Sequence, residues 1–423
     1  MTDLLARHHD AFGKGAPLFY DDPVEVVSGD GVWIDAADGR RYLDLYNNVP
    51  CVGHANPRVA AAVAKQVATL NVHSRYLHEG VLAYVERLLG LHHDGIESMI
   101  VACTGTEAND VAISTARIAT GKTGIIGTDS TYHGNSPIVG SMTRLPAGQG
   151  RGGFRSIPTP QRFRPPAPGM SDAELLEHHL AALAATIEAM EVEGDGVAAL
   201  LLCSILANEG LPEPPEGWFE QATAMVRDAG GLIIADEVQA GFGRSGRWWG
   251  YETCGFVPDI VTMGKPMGNG VPVAAVAASR ELIEQFRKRS GYFNTFAASP
   301  LQAAAGMAVV DEIVDRGLVD QVAEVGASVR TSLRELATEH PAMGDVRGQG
   351  LFVGVDWVEP GTTNPDVDGA ARIVEAMKSR GMLMGKAGQF GNVLKIRPPI
   401  VFEHQHAGLM IEAFAEAVVE AGG

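Results

Sequence analysis

Five short apolar runs constrain this chain more than anything else in it: "MIVACTG", "GIIGTD", "VAALLLCS", "GGLIIADE" and "DIVTMGK". Each is shorter than a typical helix and apolar at consecutive positions, so each reads as a strand buried on both faces. The segments between them carry helical patterns. "NPRVAAAVAKQVATL" offers Asn56 as N-cap, Pro57 at the first helical position, and Val59, Val63 and Val67 on one face. "SDAELLEHHLAALAATIEAM" is a second helix with Ser171 as its cap. Strands alternating with helices imply an α/β fold, a mainly parallel central sheet with helices on both faces. Near residue 310 the rhythm changes to helix, "GDVRGQGLFVGVDWV", helix, "NVLKIRPPIVF" and a final helix. That pattern predicts a smaller α+β domain completed by the first fifty or so residues, with boundaries at 1–55, 56–308 and 309–423. The stretch 144–169, rich in Gly, Pro and Arg, reads as a long surface excursion.

Composition narrows the function classes. The 423 residues are long enough for a large and a small core, and a hydrophobic share of 46% with 20% charged residues is ordinary for a globular protein. A formal charge of −18 argues against nucleic acid or an anionic membrane as partner, since both recruit clustered Lys and Arg. The start "MTDLLARHHDAFGKG" has no apolar signal core, and no run approaches membrane-spanning length, so a cytoplasmic location is expected. Cys51, Cys103, Cys203 and Cys254 lack C-x-x-C spacing and clustered His, which predicts packed thiols with neither disulfide nor metal site.

The sharpest signals follow the apolar runs. After "IIAD" comes Asp236-Glu237-Val238-Gln239; after "DIVTMG" comes Lys265; after "MIVAC" comes Thr104-Gly105-Thr106, opening the helix "EANDVAISTARIA". Ligands on parallel sheets collect at the carboxyl ends of the strands, so these residues are expected in one pocket. Gly105 and Thr106 sit at a helix start, where free N–H groups favour an anion such as phosphate, although taken alone they read first as a plain capped start. Asp236 alone reads as a loop cap or an Arg partner. Beside an aldehyde-binding lysine it gains another use, holding a pyridine nitrogen protonated so that the ring becomes an electron sink. Lys265, in "TMGKPMGNG", is either a surface lysine or an amine placed to approach a cofactor closely and titrate readily. Tyr132-His133-Gly134 is either a packed pair or a ring stacked on a flat heteroaromatic group, with Gly134 permitting close approach.

Two nucleotide motifs fail on context. "GFGRSG", residues 241–246, fits G-x-G-x-x-G, yet four residues separate it from the strand and "RWWGYE" is a poor helix, so it reads as a turn. "ATGKTG" ends a helix instead of opening one, and the glycine expected five positions before Gly121 is Ala116.

Together, "GRRYLDLYNNVPCVGHANPRV", "TGTEANDVAISTAR", "YHGN", "IIADEVQAGFGRSG", "PDIVTMGKPMGNGVPVAAV", "NTFAASP", "RGQGLFVGV" and "LKIRPP" resemble the class III, or omega, aminotransferases over nearly the whole chain. The resemblance implies fold type I, pyridoxal 5′-phosphate as cofactor, and a homodimer with active sites at the subunit interface. It implies that Lys265 carries the cofactor as a Schiff base and then moves a proton. Asp236 would pair with the ring nitrogen, Val238 pack on the ring face, Gln239 reach the phenolic oxygen and Tyr132 stack on the ring. Gly105 and Thr106 would hold the phosphate together with Thr295 from the partner subunit, and His133 would join the cofactor site. Tyr20, Val49 and Lys395 fall on the substrate side. The chain departs from the family at Lys395, where an arginine commonly grips a carboxylate, at Cys203, where a glutamate is usual, and in "FAASP". With "YNNV", "VGHANPRV" and "RYLHE", Lys395 is similar to the subgroup containing ethanolamine-phosphate phospholyases. The expected reaction is transfer of an amino group between a primary amine or omega-amino acid and a 2-oxo acid. The alternative is elimination of phosphate and ammonia from a phospho-amine such as phosphoethanolamine. A non-catalytic binding protein is disfavoured by the joint presence of Lys265 and Asp236.

Overall fold

The apolar runs become neighbours in one eight-stranded sheet of a computed structural model that describes residues 2–421. Across the sheet the order is Ser98–Ala102, Ala274–Ala278, Ile260–Met263, Leu232–Asp236, Val197–Cys203, Gly124–Thr128, Phe154–Ile157 and Gly150–Arg151. Ala274–Ala278 runs antiparallel to both its neighbours and Gly150–Arg151 is antiparallel to Phe154–Ile157; the other six strands share one direction. All seven residues of Val197–Cys203 are buried, as consecutive apolar positions require in a sheet covered on both sides. Leu200, Ile233, Ile234 and Val261 have no solvent exposure, and burying each such side chain contributes about 1.5–3 kcal/mol.

Ser171 caps Asp172–Glu193 through a reciprocal capping box with Glu174, and Asn56 caps Pro57–Val67 through Arg58 and Val59 N–H. On the latter helix only Val59 is buried, while Val67 is 62% exposed, so the valine stripe does not face the core of this chain along its length. The helix Gly105–Thr120 ends on Gly121 at φ +70°, so "ATGKTG" is a left-handed C-cap.

One strand of the first fifty residues pairs with a strand of the C-terminal part. Val26–Asp30, Trp33–Ala36 and Arg41–Asp44 form an antiparallel meander extended by Met382–Leu383, parallel to Arg41–Asp44. A second small sheet orders Met343–Gln349, Phe352–Trp357, Val393–Ile396 and Gly385–Ala387. The junction placed at 308/309 falls within one continuous helix, Pro300–Asp315.

Two expectations need correction. The stretch 144–169 is not all surface excursion: Phe154–Ile157 is a parallel strand of the main sheet with Phe154, Ser156 and Ile157 buried. Arg164 further pins it by a two-pronged ion pair to the buried Asp356. The alanine-rich Ala274–Ala278 also escaped the strand reading, although it is fully buried between two of the recognised runs. "GFGRSG" is a turn, with Phe242 at φ +61°. Its Arg244 is buried and donates to Asn48 Oδ1, Leu351 O and Pro398 O, clamping the two parts of the chain together.

Candidate active site

Because the main strands share a direction, their carboxyl ends meet along one edge. Register places Asp236 beside Thr262 on one side and Cys203 on the other. A cleft at this edge is lined by Gly105, Thr106, Tyr132, Asp236, Val238 and Lys265, which come from four strand ends far apart in sequence.

Asp236 is 5% exposed and satisfied by three donors. His133 Nδ1 lies 2.7 Å from Oδ2, Asn109 Nδ2 donates to the same oxygen at 2.9 Å, and Val238 N–H donates to Oδ1 at 3.0 Å. An ionised carboxylate only accepts, so His133 Nδ1 carries the proton, leaving Nε2 for Thr131 Oγ1 at 2.6 Å. Asn109 is fixed in turn by Thr262 Oγ1 at 2.7 Å and by its own donation to His133 O at 2.8 Å. Burial pushes the Asp236 carboxyl up, but the His133 hydrogen bond and charge, with the Asn109 and Val238 donors, outweigh it and hold the group below the usual carboxylate range. Asp236 therefore stays ionised inside the protein, with acceptor capacity on Oδ1 left for the cleft.

Lys265 follows the strand Ile260–Met263 and keeps a partial opening to the cleft. Burial lowers its ammonium below the ordinary lysine value, with Asp236 opposing the shift and Arg397 adding to it. An amine so placed gives up its proton more readily than a surface lysine.

The cradle around these groups admits no extra carbon. A Cβ on Gly105 would sit 2.9 Å from Val238 Cγ1, and one on Gly134, at φ +141°, would sit 2.5 Å from Thr106 Oγ1. Gly105 and Thr106 open the helix Gly105–Thr120, capped by Thr104. Tyr132 is 38% exposed and its carbonyl accepts from Asn208 Nδ2 at 3.1 Å. Gln239 is held at both ends: Arg397 and, at 3.3 Å, Lys395 Nζ donate to its Oε1, and its Nε2 donates to Asn208 Oδ1 at 3.0 Å. Lys395 is 4% exposed, and burial followed by the nearby Arg397 pushes it well below the ordinary lysine value.

His133 also lines the cleft, where its imidazole holds Asp236; the other expected residues lie elsewhere. Thr295 is exposed on the turn before Pro300–Asp315 and does not line this chain's own cleft. Tyr20, at φ +69°, donates to Met384 O at 3.0 Å and, with Val49, lines a neighbouring, mostly apolar hollow. Sequence reasoning passed over Asn109, Thr262, Asn208 and Arg397. Asn109 had a signal: it lies four residues after Gly105 on a helix, hence on the same face. Asn208 and Arg397 sit on irregular backbone, where no periodicity marks a side chain's direction.

Residues 20–418 match the family described as Aminotransferase class-III, so the chain belongs to that family. It is similar to a Caenorhabditis elegans protein named ethanolamine-phosphate phospho-lyase homolog 1, 34% identical over 96% of this chain and 90% of that protein. It is also similar to a Drosophila melanogaster alanine–glyoxylate aminotransferase 2-like protein, 33% identical over 99% of this chain and 87% of the relative. Among solved structures, a phospholyase from Arthrobacter in complex with phosphoethanolamine superposes with a TM-score of 0.94 at 40% identity, over 99% of each chain. The fold is that of pyridoxal-phosphate transaminases, and the cofactor is pyridoxal phosphate. The cleft fits it: a buried anion for the ring nitrogen, a helix start for the phosphate, an amine for the aldehyde, and glycines wherever a side chain would obstruct. Among the described residues no helix is long and apolar enough to cross a membrane, and no group of three or more His, Cys, Asp or Glu is arranged to hold a metal.

Proposed function

We propose, from membership of the class III aminotransferases, that this chain moves an amino group between a primary amine or omega-amino acid and a 2-oxo acid, with Lys265 as the reacting amine. The observation that carries this is Lys265, its basicity lowered by burial, facing the same cleft as an Asp236 kept ionised by three donors. When bound, pyridoxal phosphate supplies a ring that withdraws electrons from the amine-bearing carbon of the substrate. Asp236 keeps the ring nitrogen protonated, a preorganised charge that needs no rearrangement during reaction. Lys265, readily deprotonated, takes a proton from the substrate carbon and returns one, and its fixed position removes the entropic cost of bringing a base to that carbon. Val238 and Tyr132, which both line the cleft, would hold the ring. Gly105 N–H and the Thr106 hydroxyl would hold the phosphate, and Gln239, whose amide Arg397, Lys395 and Asn208 fix, would serve the phenolic oxygen. Thr295, exposed on its own chain, would complete the phosphate site of a second copy in a homodimer. A cytoplasmic location goes with this reading.

A second reading is favoured by Lys395. Where family members hold a carboxylate with a forked arginine, this site offers a single ammonium, and Cys203 supplies no counter-charge because burial and Asp236 push its thiol up. That setting suits release of phosphate and ammonia from a phospho-amine, the type of substrate named for the Arthrobacter phospholyase. Incubating the protein with phosphoethanolamine, with and without a 2-oxo acid, decides between them. Turnover that requires the oxo acid and leaves phosphate on the product supports transamination; phosphate and ammonia formed without oxo acid would sink it.

A further inference from the structure

We infer that Glu107 and Asn294 are a positioning pair that fixes the turn from which Thr295 reaches the phosphate site of a second copy. The inference rests on the reading that Thr295 completes that site in a homodimer, and it adds which residues of its own chain hold Thr295 ready. Glu107 is the third residue of the helix Gly105–Thr120, one position after Thr106, yet it does not line the cleft. One helix start therefore serves two sites: Gly105 and Thr106 would hold the phosphate of their own chain, while Glu107 sets the residue offered to the other.

Among the described residues, the donors on the Glu107 carboxylate are all uncharged. Cys103 N–H donates to Oε2 at 3.0 Å which, with the Glu107 N–H on Thr104 Oγ1 at 3.1 Å, closes the helix start on itself. From 185 and 187 positions away, the Tyr292 hydroxyl donates to Oε1 at 2.6 Å and Asn294 Nδ2 to Oε1 and Oε2 at 2.7 and 2.9 Å. A carboxylate only accepts, so the Asn294 amide has one orientation: its nitrogen faces Glu107 and its Oδ1 faces the chain beyond. Oδ1 accepts from Phe296 N–H at 2.8 Å and Ala297 N–H at 3.1 Å, a side-chain turn that encloses Thr295. The far side of the turn is tied to the same place. Gln302, in the capping box with Ser299, donates to Ala102 O at 3.4 Å and to Pro272 O at 2.7 Å. Between these anchors Thr295 is exposed and Phe296 is 73% exposed. Side chains projecting from a turn fixed at both ends reach a second copy without the ordering cost that a free loop incurs on binding.

The test reads the rate at which pyridoxal phosphate leaves the loaded protein, followed by cofactor absorbance after transfer to cofactor-free buffer, in Thr295→Ala, Asn294→Ser and the double variant. Serine keeps a hydroxyl for the local turn, adds no charge and is too short to reach Glu107. Loss of a hydrogen bond to a charged phosphate should speed release about tenfold in Thr295→Ala. Asn294→Ser should speed it about threefold or more, and the double variant should release no faster than Thr295→Ala alone, because Asn294 acts through Thr295. Unchanged release in Thr295→Ala would overturn the partner-site reading and the positioning pair with it. Fast release in Thr295→Ala combined with unchanged release in Asn294→Ser, or with effects that multiply in the double variant, would overturn the pair and leave the partner-site reading standing. Should Asn294→Ser fail to fold, Tyr292→Phe, which deletes one bond to Glu107 and no charge, takes its place in the same comparison with the same outcomes.

Discussion

Lys265 and Lys395 lie at the same edge of the molecule, and burial pushes both below the ordinary lysine value, but their surroundings are opposite. Lys265 shares its cleft with a carboxylate that His133, Asn109 and Val238 keep ionised. Lys395 donates only to Ala207 O and Gln239 Oε1, and Glu209, whose charge acts on it, is already hydrogen-bonded to Thr128. A complete network of donors around one acid makes a centre that can run proton transfers without reorganising. Burial alone therefore does not distinguish a reacting lysine from a binding one; the neighbouring anion does.

The largest effect that sharpens this contrast is loss of the reacting amine. Lys265→Ala should retain pyridoxal phosphate through the Gly105–Thr106 helix start yet lose turnover by about 10⁴-fold, read by steady-state rates alongside cofactor absorbance. Undiminished turnover in that variant would remove Lys265 from the chemistry. Asp236→Asn leaves the shape and removes the charge, and a fall in turnover of about 10²–10³-fold is expected. A smaller, pH-dependent effect comes from Glu237, fully buried behind Asp236, whose carboxyl burial raises to about 7 despite donors from Ser204, Gly250 and Tyr251. Its folded value lies above the ordinary 4.5, so its contribution is fully present below pH 4.5 and is lost as pH rises through about 7. Denaturant unfolding of wild type and Glu237→Gln across that window should diverge by on the order of 2 kcal/mol; parallel curves would contradict the assignment. Last, Lys395→Met keeps the side-chain length and removes the buried amine, so unfolding free energy should rise by about 1 kcal/mol. Loss of stability there would mean that its bonds to Ala207 O and Gln239 Oε1 outweigh the cost of its burial.

Most of the reacting half was legible from sequence because it stands on regular elements. Asp236, Lys265 and Gly105 each end or follow an apolar run, and the common direction of parallel strands brings such ends together. The His133–Asp236 bond and the Asn109 bridge were not legible as contacts, since they join residues 103 and 127 positions apart. The residues around Gln239 were far less readable: Asn208 and Arg397 stand on irregular backbone, where no period fixes side-chain direction. Ala274–Ala278 was missed for another reason: alanine is a good helix former and a poor strand former, and only its place between two buried strands makes it one.

Borohydride reduction of the cofactor-loaded protein, followed by peptide mapping, tests the contrast between the two lysines most directly. The account expects the pyridoxyl label on Lys265 alone, with Lys395 unmodified. A label on Lys395, or on neither lysine, would contradict it.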